Sequence, residues 1–178
     1  YGNINYRHPR VEHVTIDSDK LPAGDSYRIV LASDIHRGYG TTRSDLSRYV
    51  DMINREQGDV VLIAGDLIDN SVRPVATEDM CREFERIEAT DGIYLAPGNH
   101  EYISNIDSVA QYLRTTPVRL VRDSVVRLSD NITLIARDDR SNRHRRSLKE
   151  LSSEAGEQPL IVVLDHQPYD IATSDSLG

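Results

Sequence analysis

The stretch DVVLIAGDLID at residues 59–69 decides the fold class of this chain. An apolar run long enough for a strand stops abruptly at a glycine and an aspartate. Near-continuous apolar runs of this length are typical of strands buried on both faces, as in parallel sheets. Three other runs have the same character, namely YRIVLAS at residues 27–33, IYLA at 93–96 and LIVVL at 160–164.

Helical patterns lie between these apolar runs. Leu46, Val50 and Ile53 are spaced i, i+4, i+7, which places them on one face of a helix. The preceding residues 42–45, Thr-Arg-Ser-Asp, resemble a capping box. Alternation of strands and helices predicts an α/β fold with right-handed crossovers. The same helical spacing recurs at Met80, Phe84 and Ile87, and nearly so at Ile106, Val109 and Leu113.

The stretch from Val118 to Arg137 has a different pattern. Val118–Val121, Val125–Leu128 and Ile132–Ala136 are short apolar pieces separated by Asp-Ser and Asp-Asn pairs. They are predicted as strands of a second sheet. Nearer the start, Val11–Ile16 is a candidate edge strand. We predict an N-terminal arm or linker over residues 1–24 and one domain over 25–178.

Composition narrows the function classes. The chain has 178 residues, with 21 Lys+Arg against 29 Asp+Glu, and a net charge of −8. This acidity argues against nucleic acid as a partner. Cys81 is the single cysteine, so neither an intramolecular disulfide nor a cysteine-based zinc site can form. The longest apolar runs are strand-sized and too short for a membrane helix.

Polar side chains follow each of the four apolar runs, where the strands are predicted to end. In open α/β sheets, ligands bind at the carboxyl ends of the strands, so these side chains are expected to form one site. Histidine nitrogens combined with carboxylate and amide oxygens suit Mn, Fe or Zn better than Ca or Mg. The residues concerned are Asp34, His36, Asp66, Asp69, Asn99, His100 and His166.

Each motif by itself also has an ordinary structural interpretation. Asp66 could cap a helix, Asn99 could occupy a left-handed turn position, and His166 could be a core histidine. Their occurrence together, each at a strand end, favours a dinuclear metal site. Within it, Asp34 and His36 are expected on one side of an extended segment, because they are spaced i, i+2. Asp66 could bridge two ions roughly 3.5–4 Å apart, a clamp suited to phosphoryl transfer.

Four motifs in this order resemble the signatures of the calcineurin-like metallophosphoesterases. They are SDIHRG at residues 33–38, GDLID at 65–69, GNHE at 98–101 and HQP at 166–168. The resemblance covers the chain from about Tyr27 to its end. It implies two mixed β-sheets packed as a sandwich flanked by helices. It also implies hydrolysis of phosphate esters by a metal-bound hydroxide at a pair of divalent ions, Mn, Fe or Zn.

The resemblance assigns a role to each candidate residue. His100 is the catalytic residue, as proton donor or phosphate contact, and Asp69 supports the loop behind the ligands. The metal ligands it implies are Asp34 and His36 for the first ion, Asp66 for both ions, and Asn99 and His166 for the second.

One departure from the family pattern stands out. The family normally has a G-H-x-H motif after the last of these four, whereas no histidine follows His166 here. We therefore expect a chain that stops before that motif and binds metal more weakly on its own. The alternative is a non-catalytic binding module of the same fold with an incomplete metal site. A nuclease or nucleotide phosphodiesterase is a further alternative, which the net charge disfavours for polynucleotides.

A basic segment, RSNRHRRSLK at residues 140–149, is the one shift in composition. The favoured interpretation is a solvated loop that runs into a helix over Leu148–Ala155, since charge runs usually indicate exposure. The alternative is an anion-binding patch that holds a phosphate or an anionic head group. Its members would be Arg140, Arg143, Arg145 and Arg146.

The first 24 residues resemble the linker that follows a membrane segment in a membrane-linked branch of the family. Together with a first residue that is not methionine, this predicts a membrane anchor upstream of residue 1. The protein would then be membrane-associated with a soluble catalytic domain, a cytoplasmic protein being the alternative. We expect a small-molecule or lipid-linked phosphate ester as the substrate.

Overall fold

A computed structural model describes residues 9–38, 42–77, 80–169 and 171–172. The strands are β1 Ile29–Ala32, β2 Val60–Ala64, β3 Ile93–Ala96, β4 Val118–Leu120, β5 Ser124–Arg127, β6 Ile132–Ala136 and β7 Leu160–Leu164. The helices are α1 Arg43–Arg55, α2 Val72–Thr77, α3 Cys81–Glu85, α4 Asn99–Ile103, α5 Ile106–Leu113 and α6 Leu148–Ala155.

Strands β1 to β4 form the first sheet in the order β1-β2-β3-β4. Each neighbouring pair is parallel, with Ile29 opposite Val60 and Val61 opposite Ile93. Helices connect successive strands, as parallel pairing requires. The prediction that Val118–Val121 belongs to the second sheet is wrong, because β4 pairs with β3 and extends the first sheet.

Strands β5, β6 and β7 form the second sheet, in that order. β5 and β6 make an antiparallel hairpin, and β7 lies parallel to β6. Residues 125–128 and 132–136 are thus correctly predicted for this sheet. Among the described strands, only the second sheet mixes directions. The predicted α/β sandwich of two sheets with flanking helices is confirmed.

Alternate residues of β2 face two different cores. Val60 and Leu62 point to the second sheet, where they join Leu134 of β6 in one buried cluster. Val61 and Ile63 point the other way, into a cluster built with the helices. Because both faces of β2 are covered, its sequence is apolar without alternation, as the opening stretch indicated.

The predicted helices differ in how well their bounds agree with the structure. α1 begins after Thr42, whose hydroxyl accepts from the Asp45 backbone N–H while the Asp45 carboxylate accepts from the Thr42 backbone, so the capping box is confirmed. These bonds from Thr42 lower the pKa of Asp45. α6 spans Leu148–Ala155 as expected. α3 is shorter than its spacing suggested, since it ends at Glu85, before Ile87.

The segment before β1 is outside the sheets. Residues 11–16, predicted as an edge strand, form no strand and are exposed. Val14 and Ile16 are more than 80% exposed, with 81% and 83% of their surface accessible. Within the described residues, no helix is long and apolar enough to cross a membrane.

Candidate metal centre

The loops that leave β1 and β2 run side by side and continue the sheet by backbone hydrogen bonds. The N–H of His36 donates to the carbonyl of Asp66 at 2.8 Å, and the N–H of Arg37 donates to that of Leu67 at 2.7 Å. The N–H of Asp69 then donates back to Arg37 at 2.8 Å. The parallel ladder is therefore extended past the strand ends, and it holds the candidate ligands at one edge of the sheet.

Three of these residues have a left-handed backbone. The φ angles are 54° at Asp34, 48° at His36 and 54° at Asp66. The expectation of an extended segment at Asp34 and His36 is wrong, although the two side chains are still neighbours. His36 Nε2 lies 3.7 Å from Asp34 Oδ1. Left-handed conformations are unfavourable for residues other than glycine and tend to cluster at functional sites.

The Asp66 carboxylate is the centre of the cluster. Its Oδ2 atom lies 3.4 Å from His166 Nε2, 3.7 Å from His36 Nε2 and 4.0 Å from His100 Nε2. Two atoms bound tetrahedrally at about 2.1 Å from one ion would be roughly 3.4 Å apart. The spacing of the ring nitrogens around Asp66 therefore fits shared metal coordination better than direct hydrogen bonding.

The surrounding contacts favour metal binding by His166. Its Nδ1 lies 2.7 Å from the carbonyl oxygen of Ala64. Because a carbonyl can only accept, Nδ1 carries the proton, and Nε2 of the neutral ring keeps its lone pair. A histidine whose second nitrogen donates to a carbonyl is the usual arrangement of a metal ligand.

Two groups of donors meet the distance requirement for holding an ion. One consists of Asp34, Asp66 and His166, the other of His36, Asp69 and His100, with the donor atoms of each group within 4.8 Å of one another. Among the described residues, no lysine or arginine pairs with the three carboxylates. Clustered carboxylates without a basic partner repel one another, so a bound cation would relieve that repulsion.

Asp69 holds the imidazole of His100. Its Oδ1 lies 2.6 Å from His100 Nδ1, and the ring of His36 packs edge-on against that of His100 at 4.6 Å between centroids. Since the carboxylate accepts the Nδ1 proton, Nε2 is the nitrogen of His100 that faces Asp66. The supporting role expected for Asp69 stays a prediction.

Glu101 is a site residue that the sequence reasoning did not single out, although it stands in the GNHE motif. It is completely buried, and its carboxylate accepts three backbone N–H groups, from Asp66 at 2.9 Å, Ile68 at 2.9 Å and Gly98 at 2.8 Å. Burial raises the pKa of Glu101, although these three donors oppose the shift. The carboxylate ties the loop after β2 to the start of α4.

Two glycines allow these loops to approach each other. A Cβ atom on Gly98 would lie 2.2 Å from Asp66 Oδ1 and 2.8 Å from His166 Cδ2. A Cβ atom on Gly65, whose φ is +73°, would lie 2.6 Å from the ring of His166. Any side chain at either position would displace a candidate ligand.

Asn99 begins α4 directly before His100. Its Oδ1 accepts a hydrogen bond from Gln167 Nε2 at 3.0 Å, and Gln167 Oε1 in turn accepts from the hydroxyl of Tyr169 at 2.8 Å. The first of these bonds fixes the orientation of the Asn99 amide. Gln167 and Tyr169 therefore belong to the surroundings of the site, although neither was among the predicted site residues.

The four arginines of the basic segment have different surroundings. Arg145 Nη2 contacts Asp165 Oδ2 at 2.5 Å, and Arg146 pairs with Glu154 at 2.7 Å. Arg143 is exposed, and Arg140 stacks on the ring of Tyr169. The loop does run into α6 as the favoured interpretation expected, and anion binding by these arginines stays a prediction.

Carboxylates and imidazoles gathered at the strand ends of an α/β sandwich define a candidate metal-binding protein. The family model described as calcineurin-like phosphoesterase matches residues 27–178. The chain therefore belongs to the calcineurin-like phosphoesterase family, and the predicted resemblance is confirmed. Family membership supports a metal-dependent phosphoester hydrolase and implies divalent metal ions.

Several known proteins are similar to this chain. An uncharacterized metallophosphoesterase of Helicobacter pylori is 29% identical over 168 residues, covering 92% of this chain and 44% of the relative. A zebrafish (Danio rerio) transmembrane protein with metallophosphoesterase domain is 32% identical over 186 residues, covering 95% and 42%. An Aquifex aeolicus uncharacterized metallophosphoesterase is 25% identical over 174 residues, covering 94% and 66%. The chain thus matches less than half of the first and second of these relatives.

Proposed function

We propose that this chain is the catalytic domain of a phosphate-ester hydrolase with a dinuclear metal centre. The observation that carries the proposal is the convergence of three imidazole Nε2 atoms on one buried carboxylate oxygen of Asp66, at 3.4–4.0 Å. A second observation is the His166 tautomer, which leaves Nε2 available for an ion. The side chains in both observations come from loops that follow different strands.

The donor set suits two ions of the Mn, Fe or Zn type, because it mixes imidazoles with carboxylates. The two distance-defined groups combine these donors differently. We follow the assignment that the family resemblance implies, in which Asp34 and His36 would hold one ion, Asn99 and His166 the other, and Asp66 both. Such a pair of ions supplies Lewis acidity, which activates water and neutralises the phosphoryl oxygens. The side chain of Asp34 is 58% exposed whereas that of Asp66 is 5% exposed, so solvent and substrate would reach the site from the Asp34 side.

His100 is proposed to handle the proton of the leaving group. Asp69 accepts the Nδ1 proton of His100, which keeps the ring oriented. A proton on Nε2 could then pass to the leaving oxygen in the site, a general-acid role. Because Asp69 contacts the ring and no reacting atom, it is a positioning residue in this scheme.

Metal analysis and activity together test this proposal. The 178-residue chain would be loaded with Mn, Fe or Zn and assayed on p-nitrophenyl phosphate and bis(p-nitrophenyl) phosphate. Asp66→Ala should lose both ions, whereas His100→Ala should keep its metal and lose about 10²–10⁴-fold in turnover. His144→Ala, which alters an exposed histidine, is the matched control and should change neither property.

Three results would contradict the proposal. They are hydrolysis that does not depend on added metal, full metal content in Asp66→Ala, and equal loss of metal in His100→Ala. Bound metal without turnover of any ester would favour the non-catalytic binding module instead.

We also propose that the complete protein is membrane-associated and acts on a small-molecule or lipid-linked phosphate ester. The support is the name of the zebrafish relative, transmembrane protein with metallophosphoesterase domain. A relative from Bos taurus, 32% identical over 123 residues, has the same name. Fractionation of the complete gene product between membrane and supernatant tests the location. Recovery in the supernatant alone would contradict it.

A further inference from the structure

Arg140 and Tyr169 form an exposed pair near the candidate metal centre. The guanidinium carbon of Arg140 lies 3.7 Å from the centroid of the Tyr169 ring, and the ring is 60% exposed. A guanidinium stacked on an aromatic face uses its flat surface for the contact. Its in-plane N–H groups therefore remain directed outward and available to an anion.

The pair is tied to the proposed metal ligands by side-chain hydrogen bonds. The hydroxyl of Tyr169 donates to Gln167 Oε1, and Gln167 Nε2 donates to Asn99 Oδ1. The backbone also turns back here, with the N–H of Tyr169 donating to the carbonyl of Gln167 at 2.8 Å. Only one amide side chain thus separates the stacked ring from Asn99, so the pair borders the same site.

Arg140 differs in its ion pairing from Arg145 and Arg146, the two arginines of its loop that lie against the protein. Arg145 pairs with Asp165, and Arg146 pairs with Glu154. Within the described residues, no carboxylate lies within salt-bridge distance of Arg140. Its positive charge is therefore presented to solvent at a fixed place beside the site.

We propose that Arg140, held by Tyr169, binds a second anionic group of the substrate. The substrate would then be an ester with two neighbouring phosphates, one at the metal centre and one on the Arg140 guanidinium. Guanidinium and phosphate match in geometry and can form two parallel hydrogen bonds. This inference rests on the proposed function for the phosphate at the metal centre, and it narrows the substrate class to diphosphate esters.

Binding of two phosphonates tests the inference without requiring turnover. Isothermal titration calorimetry would compare methylenediphosphonate with methylphosphonate on the Mn-loaded chain, with chain and ligand in the same Mn²⁺ buffer. The heat of Mn²⁺ chelation would be subtracted by titrating each compound into that buffer alone. The wild-type chain should bind the diphosphonate at least tenfold more tightly. Arg140→Gln should lose about tenfold for the diphosphonate and less than twofold for the monophosphonate.

Three further variants distinguish a specific role of Arg140 from a general effect of positive charge. Arg143→Gln removes an exposed arginine of the same loop and should leave both affinities within twofold of wild type. Tyr169→Ala should weaken diphosphonate binding as Arg140→Gln does, because the guanidinium loses its support. Tyr169→Phe keeps the ring and should retain most of the preference.

The inference is overturned if wild type shows no preference for the diphosphonate, or if it binds neither compound. Equal effects of Arg140→Gln on both ligands, or equal effects of Arg140→Gln and Arg143→Gln, would also overturn it. Hydrolysis assays are kept separate. A chain that binds the diphosphonate through Arg140 yet hydrolyses no ester would contradict the proposed function while leaving the binding role of Arg140 intact.

Discussion

Glu101→Gln is the substitution that tests most directly how this site is built. The carboxylate is fully buried and accepts three backbone N–H groups, two on Oε2 from Asp66 and Gly98 and one on Oε1 from Ile68. Glutamine has nearly the same shape but one acceptor oxygen in place of two. The substitution therefore changes the hydrogen bonding and the charge with little change in packing.

The expected cost follows from those three bonds. In its best orientation the glutamine oxygen replaces Oε2 and keeps two bonds, while its NH₂ group faces the N–H of Ile68. One buried donor is then unpaired, at about 1–3 kcal/mol, and the two remaining bonds weaken by up to about 1 kcal/mol each. Removing a buried charge recovers part of this, since burial raises the pKa of Glu101. We expect a net loss of about 2–4 kcal/mol in unfolding free energy.

Urea denaturation in EDTA measures this loss without a contribution from metal. In a thermal melt under the same conditions, the loss should lower the melting temperature of a domain of this size by roughly 5–15 °C. Metal affinity, measured separately by calorimetry, should fall about 10–100-fold, because the loop that carries Asp66 loses its support. Glu85→Gln, an exposed glutamate-to-glutamine change on α3, is the matched control and should stay within about 0.5 kcal/mol.

Equal stability of Glu101→Gln and Glu85→Gln in EDTA would contradict this role of the Glu101 carboxylate. If stability falls but metal affinity does not, Glu101 supports the fold without positioning the ligands. A loss of both stability and metal affinity is the result that the three hydrogen bonds predict.

Three further outcomes are expected. Gly98→Ala should lose most of its metal affinity by calorimetry, because the new Cβ would lie 2.2 Å from Asp66 Oδ1; unchanged affinity would show that the loop can move aside. Asp165→Asn should cost about 3–5 kcal/mol in urea, because two buried guanidiniums share its carboxylate, whereas the exposed Asp130→Asn should cost almost nothing. Burial alone would raise the pKa of Glu83, but two arginines lower this pKa below its usual 4.5. The stability that Glu83 contributes to the fold is therefore complete above pH 4.5 and is lost as the pH falls through the lowered pKa. Urea midpoints measured from pH 7 to pH 3 should fall more in wild type than in Glu83→Gln, and the difference is the contribution of Glu83.

The sequence predicted best those features that depend on local pattern. The run at residues 60–64 is apolar because both of its faces are buried, and this requirement is readable without knowing the neighbours. The three-residue strand β4, Val118–Leu120, was placed in the wrong sheet. Its sequence is compatible with either sheet, and only the pairing with β3 decides.

The candidate site residues were predicted from the sequence, but apart from Asp69 the residues that support them were not. The motifs predicted that Asp66 and His166 belong to one site, and in the structure Asp66 Oδ2 lies 3.4 Å from His166 Nε2. The motifs could not indicate that Glu101 accepts hydrogen bonds from backbone 33 and 35 residues earlier in the chain. Likewise, the pairing of Arg145 with Asp165 depends on tertiary contact across 20 residues. Such partners leave no periodic signal in the sequence.

Backbone strain links the fold of this site to its chemistry. Asp34, His36 and Asp66 each have a positive φ, at a cost of order 1 kcal/mol or more per residue. The hydrogen bonds between the two strand-exit loops, and those to Glu101, offset that cost within the folded protein. The ligand geometry is thereby set by the backbone itself. Substitutions in these supports should consequently weaken metal binding even though every ligand side chain is still present.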